Sequence, residues 1–273
     1  MGALSSTLAP RWCPRDLRRM AAGFKDHFSK QSPGYAAFRP RYPDALFSWL
    51  ASLTPGHDLA WDAGTGNGQA AVSLAGHYAR VIASDASGSQ IAAGVPHQRV
   101  TYRVGRENES GLPDHSCDLV TVAQALHWFD AAAFFKEAKR VLKPGGAVAA
   151  WTYARPSVDD PRAGPIFDEY LLLMDPWWPP ERVLVETGYR TIDFPFDEIA
   201  APAMELEMHP LLEELAGYMR TWSAYQAYVA KLGGDPVVPF EQRLAAVWPA
   251  GERRRLFWPL AMRVGRVSAT LPT

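Results

Sequence analysis

Apolar positions in the first half of the chain follow two rhythms. Behind Tyr42-Pro43-Asp44, the residues Leu46, Trp49, Leu50 and Leu53 recur at helical spacing, and Thr54-Pro55-Gly56 closes the stretch. Short apolar runs follow at Leu59-Ala60-Trp61, Val81-Ile82-Ala83, Val100-Thr101-Tyr102, Leu119-Val120-Thr121-Val122 and Ala147 to Trp151. Helical stretches lie between them, from Ala70 to Tyr78 and from Phe134 to Leu142, the second stopped by Lys143-Pro144-Gly145-Gly146. Strands separated by helices cannot pair as tight hairpins. The pattern predicts a doubly wound, mostly parallel α/β sheet covered on both faces.

The texture changes after Trp151. Pro156, Pro161 and Pro165 mark a boundary or hinge. Six of the ten tryptophans lie at or beyond Trp151, so aromatic mass is concentrated in this half. One long amphipathic helix is predicted from Pro210, with the stripe Leu211, Leu215, Tyr218, Trp222, Tyr225, Val229 and Leu232, ending at Gly233-Gly234. Leu256 to Val267 reads as a late strand that Pro259 would place at an edge or bulge. The expected division is an N-terminal extension (1–23), a binding core (24–153), and an α-rich cap with closing strands (154–273).

Composition narrows the classes. The 273 residues carry a net charge of −1, so there is no global basic field for nucleic acid or anionic lipid. Two cysteines, Cys13 and Cys117, do not make a disulfide framework. No apolar run reaches the ~18 residues that span a bilayer. The seven histidines are scattered without ligand spacing, so no metal is expected. These features predict a cytoplasmic protein. Arg11, Arg15, Arg18 and Arg19, behind Ser5, Ser6 and Thr7, read either as a mitochondrial presequence or as a tail of a chain that could start at Met20.

The chemistry concentrates in Asp62-Ala63-Gly64-Thr65-Gly66-Asn67-Gly68, directly after the first strand. Alternate glycines let a backbone turn tightly against a ligand, and the next helix points free amides at the same place. A dinucleotide fingerprint needs glycine at 69, where Gln69 stands, and a P-loop needs a lysine after Gly68. Asp85 ends the second strand, where doubly wound folds place an acid against ribose hydroxyls. Gly105-Arg106-Glu107 follows the third strand, Gln124-Ala125-Leu126-His127-Trp128-Phe129 follows the fourth, and Arg140 to Gly146 joins the last helix to the fifth.

Taken in order, these motifs resemble the class I S-adenosylmethionine (SAM)-dependent methyltransferases, over roughly residues 24 to 153. Phe28-Ser29 through Tyr35, Phe38-Arg39-Pro40-Arg41-Tyr42-Pro43, the run from Gln124 to Phe129, and Gly217 to Ser223 resemble the type-11 small-molecule branch, including trans-aconitate methyltransferase-like proteins. The resemblance implies a Rossmann-like fold and SAM as cofactor. It implies cofactor contacts from Asp62, Gly64, Thr65, Gly66, Gly68, Asp85, Glu107 and Gln124. Gln124 and His127 would line the methyl-transfer site, and Arg39, Arg41 and Arg220 would hold an acidic small-molecule acceptor. Arg106 departs from the small residue more usual before the acid. Each residue also has a structural reading: Asp62 as a turn acid, Asp85 as a helix cap, Gln124 as a turn residue, His127 as packing beneath the cofactor, the arginines as solvated charges. A protein or RNA methyltransferase, or a SAM-binding regulatory pseudoenzyme, are the alternatives; the partner expected here is a small molecule, with the oligomeric state open.

Overall fold

A computed structural model describes residues 40–267. The expectations for Arg39, for Phe28 to Tyr35 and for the basic N-terminal stretch lie outside the described residues.

The alternation of side chains along each strand builds two cores, one on each face of a sheet. In β1 (Leu59–Ala63), Ala60 packs on one face and Leu59, Trp61 and Ala63 on the other. The same sorting holds in β2 (Arg80–Asp85), β4 (Cys117–Ala123) and β5 (Leu142–Tyr153), where Ala147, Ala149 and Trp151 oppose Val148 and Ala150. The first face is covered by α1 (Asp44–Ser52), α2 (Gln69–Leu74) and the helices that follow residue 160. The second is covered by α4 (Ala131–Val141), whose Phe134, Phe135, Ala138 and Val141 are buried. A buried side chain of this size contributes about 1.5–3 kcal/mol, so two full faces hold the sheet in place. With α3 (Gly88–Ala92) and β3 (Val100–Val104), the strands run β3-β2-β1-β4-β5, all parallel. The Rossmann-like expectation is met.

Beyond β5 come β6 (Ser157–Val158), α5 (Ala163–Met174), α6 (Arg182–Glu186), β7 (Asp197–Ile199) and β8 (Glu205–Met208). Then follow α7 (Leu212–Arg220), α8 (Ser223–Leu232), α9 (Val237–Ala245) and β9 (Leu256–Arg266). Two expectations are corrected here. The single helix from Pro210 is two helices, because Trp222 takes an extended backbone (φ −70°, ψ 142°). That turn drives its indole against Tyr170, Trp178 and Tyr218, at ring separations of 5.5–5.7 Å. Packing of one large ring outweighs the helical rhythm. The late strand is not an edge. β9 runs antiparallel to β5 inside the sheet, with β5 and β7 flanking its later half and β6 and β8 its earlier half. Pro259 pairs with Glu205 of β8 on one side and on the other falls in the gap between the β5 ladder, which ends at Leu260, and the β6 ladder, which ends at Phe257, so at this residue alone the strand keeps the one-sided pairing the proline implied.

Among the described residues no helix is long and apolar enough to cross a membrane. Cys117 is buried, and burial pushes its thiol up to about 12, so it is an inert core residue.

Candidate active site

The turn after β1 is built on positive φ angles: +66° at Gly64, +57° at Gly66 and +90° at Gly68. The glycines serve different ends. A Cβ on Gly64 would stand 2.6 Å from the Ala125 Cβ, and one on Gly68 would stand 2.0 Å from the Tyr102 hydroxyl. Those two are required by the protein's own packing. A Cβ on Gly66 would meet only Gln90 Oε1, at 3.7 Å, so this glycine faces open space.

Asp62 lies beneath the turn with no exposed surface. Its carboxylate accepts the Thr65 hydroxyl at 2.5 Å and the Thr121 hydroxyl at 2.7 Å. Burial pushes its pKa up to about 6 against those hydrogen bonds. Thr65 is thus tied down twice, since its amide also donates to the Ser84 carbonyl at 3.0 Å. At the end of β2, Asp85 takes the Gly66 amide at 2.9 Å and the Ser87 amide at 2.8 Å. The loop after β3 joins them, with the Gly105 amide on the Asp85 carbonyl at 3.0 Å and half-buried Glu107 two residues on. Asp62, Thr65, Gly64, Gly66, Gly68, Asp85 and Glu107 therefore gather at the carboxyl edge of the sheet, the usual ligand position in this architecture. A fixed carboxylate beside an open glycine suits a ribose diol, so the residues fit the nucleoside end of SAM.

Beside this cleft opens a cavity of about 460 Å³. Gln124 and His127 line it from the β4 end, and Tyr153, Trp177, Trp178, Tyr218 and Trp222 form aromatic walls. Gln124 holds a left-handed backbone (φ +54°). His127 Nδ1 lies 3.0 Å from the Tyr189 hydroxyl, and burial, with Arg182 nearby, holds the imidazole down at about 3, so it is neutral.

The arginines fall differently from expectation. Arg41 is exposed and does not line the cavity, although the neighbouring Pro40 carbonyl accepts Gln69 Nε2 at 2.9 Å beside the glycine turn. Arg220 turns away into ion pairs with Asp235 (2.7 Å) and Glu241 (2.8 Å). The cations on the cavity wall are Arg155 and Arg182. Arg155 is held by both oxygens of Asp175, at 2.6 Å each. Arg182 sits 4.3 Å over the Trp178 ring with Glu186 at 3.5 Å, and burial lowers its pKa. Arg182 carries no local sequence signal, since only the tertiary fold brings it to the cavity, and neither do Tyr189 and Thr152, which are fully buried behind the wall, on His127 and Gln124. The Trp177-Trp178 pair was the available hint. Among the described residues no group of histidine, cysteine or acidic side chains is placed to hold a metal.

Comparison with known proteins agrees with this geometry. A methyltransferase domain family model matches residues 61–150, from the end of β1 through most of β5. A Dictyostelium discoideum protein assigned to the methyltransferases is 34% identical over 220 residues, covering 79% of this chain and 83% of that protein. The methyltransferase pgmE of Aspergillus terreus is 29% identical over 144 residues, 47% of this chain and 43% of its own length. A solved structure from Anaeromyxobacter dehalogenans, assigned to the type II methyltransferases, superposes with a TM-score of 0.81 at 43% identity, covering 85% of this chain and 99% of that one. With the acid–glycine turn, Asp85 and the strand order already in place, the chain belongs to the class I SAM-dependent methyltransferases.

Proposed function

We propose that this enzyme methylates a small molecule seated in the aromatic cavity beside Gln124 and His127. The cavity is the observation that carries this reading. Its volume of about 460 Å³ lies within the ~300–1,000 Å³ usual for small-ligand sites, and apolar walls with a few placed polar groups are the common lining. The type-11 likeness favours an acidic acceptor, and Arg182 is the cation positioned to grip such a group.

When bound, SAM supplies an activated methyl group with a good leaving group, so the protein needs no nucleophile or metal of its own. The chain's task is placement. Asp85 would accept the ribose hydroxyls, Gly66 would leave room for the sugar, and Glu107 would reach the nucleoside from the β3 side. Asp62 would act through Thr65, holding the turn and lending negative charge below the cationic amino-acid end. The tryptophans exclude water around the acceptor. Fixing two reactants in line can contribute about 7–11 kcal/mol.

Incubation with methyl-labelled SAM and a small-metabolite extract tests the reading. Label should enter a low-mass product. Label entering only the protein or RNA fraction would overturn it. Asp85→Ala should weaken SAM binding about 100-fold in calorimetry, the scale of losing hydrogen bonds to a charged acceptor. Unchanged affinity would remove Asp85 from the site.

A further inference from the structure

Resting on the reading of the aromatic cavity as the acceptor site, we propose that residues 221–234 are the lid of that cavity. Helix α8 is the moving panel, Trp222 and Gly233-Gly234 are its two hinges, and the Arg220–Asp235 ion pair is its fixed base.

Arg220 ends α7 and Asp235 leads into α9. Arg220 Nε donates to Asp235 Oδ2 at 2.7 Å, and its Nη2 donates to Glu241 Oε2 at 2.8 Å. Asp235 Oδ1 accepts the Val237 amide at 2.9 Å. Both ends of the segment are thus clamped to each other and to helices set in the core, α7 by Leu215 and Met219, α9 by Val237 and Leu244. A surface segment whose ends meet in this way can shift its middle while its ends stay put. Arg220, expected from the sequence to hold an acceptor, instead closes the base of the lid.

The panel is held lightly. Of the residues of α8 only Ala224 is buried. Ser223 and Ala227 stand four apart and so share a face, which lines the cavity. Both are nevertheless exposed, so α8 lies at the cavity mouth and not in its floor. Its latch to the wall is a ring pair, Tyr228 edge-on to Trp177 at 5.2 Å. Gln226 Nε2 adds a hydrogen bond to the Arg220 carbonyl at 3.0 Å.

Each hinge has what a pivot needs. Trp222 breaks the helical path with an extended backbone, and its indole is anchored among Tyr170, Trp178 and Tyr218, so it stays in the wall when α8 swings. Gly233 and Gly234 both have φ +72°, and a Cβ on either would meet nothing within 4 Å. Packing does not call for glycine at these two positions. The backbone does, and the open space around it leaves room to turn. Hinges of domain and loop closure are a few such residues at the ends of elements. Swung out, α8 admits an acceptor past Trp177; swung in, it shuts water away from Gln124 and His127.

The test uses the intact chain with Cys13→Ser, leaving buried Cys117 in place. Val185 is buried and lines the cavity, so Val185→Cys places a thiol that a bulky fluorescein maleimide reaches only past an open lid. Adding Tyr228→Ala releases the latch and should speed labelling about 3- to 10-fold, the scale of one lost ring pair. Phe240→Ala removes a ring of similar size from α9, where it packs on Tyr170, and should leave the rate unchanged. Equal rates with and without the Tyr228 ring, or an equal rise in Phe240→Ala, would overturn the lid. A second measurement leaves the latch intact. Spin labels on Lys231→Cys of α8 and Lys136→Cys of α4, both exposed positions, should give two distances, whereas Gln242→Cys of α9 with Lys136→Cys should give one. A single distance for the first pair would also overturn the lid. A chain that passes both tests yet transfers no label to a small molecule would sink the proposed function and not the motion.

Discussion

Asp62, buried, and His127, half-buried on the cavity wall, are titratable groups shifted in opposite senses, and pH should separate them. Asp62 is raised to about 6, so between roughly pH 4 and 6 the folded chain holds more protons than the unfolded one. Its contribution therefore falls as pH rises through that window. His127 is lowered to about 3, so from roughly pH 6.5 downward the unfolded chain holds more protons and acid destabilises. Where both act they partly cancel. Asp62→Asn should steepen the acid loss of stability and His127→Gln should flatten it, each by at most about 1.4 kcal/mol per pH unit. Urea midpoints at pH 4.5, 5.5 and 6.5 check this; parallel curves for both variants would contradict it. The carboxylate of Asp62 was legible in the sequence because it stands three residues from Thr65. Its second clamp, Thr121, lies on β4 and shows only once β1 and β4 pair.

At the scale of elements, the glycine turn is fixed as much by what lies behind it as by a ligand in front. Gly68 backs onto Tyr102, whose hydroxyl donates to the Val95 carbonyl at 2.7 Å. Gly68→Ala should cost about 1–2 kcal/mol for the left-handed backbone and a further ~1–3 kcal/mol for the overlap. Combining it with Tyr102→Ala should return the overlap part only, measurable as a non-additive double-mutant cycle. Elements carrying a full apolar period, such as α1 and β1 to β5, were readable. β6, β7 and β8 were not, because they are two to four residues long, β7 and β8 are rich in exposed acids, and the pairing of all three is supplied by β9. The break between α7 and α8 was unreadable for a related reason, since Trp222 fits the helical stripe and only the rings awaiting it explain its turn inward. In the cavity, Gln124 and His127 were readable from one short motif, whereas Arg182 reaches the wall, and Tyr189 backs His127, from 55 or more residues further along the chain.

Across the whole molecule, β9 ties the two halves together. Arg263 donates to the Tyr189 carbonyl (3.2 Å) and the Ile192 carbonyl (2.5 Å), packs on Phe194 and pairs with Glu198. It thereby holds the loop that carries Tyr189 to His127. Arg263→Ala should lower stability by about 2–3 kcal/mol, leaving carbonyls and an acid unpartnered. Arg263→Lys should recover only part, because a single ammonium cannot hold the two carbonyls and Glu198 together as the guanidinium does through Nη1 and through Nε and Nη2. Chemical denaturation of the three proteins checks this.

The position of β9 also has a consequence for synthesis. β5 is complete at Tyr153, yet its outer edge stays unpaired until residues 256–266 have left the ribosome. Throughout that interval a nascent chain carries an open strand edge of the kind that recruits other chains. The stretch from 154 to 255 is thus made under exposure, and pausing within it should favour capture by chaperones or co-aggregation of neighbouring nascent chains.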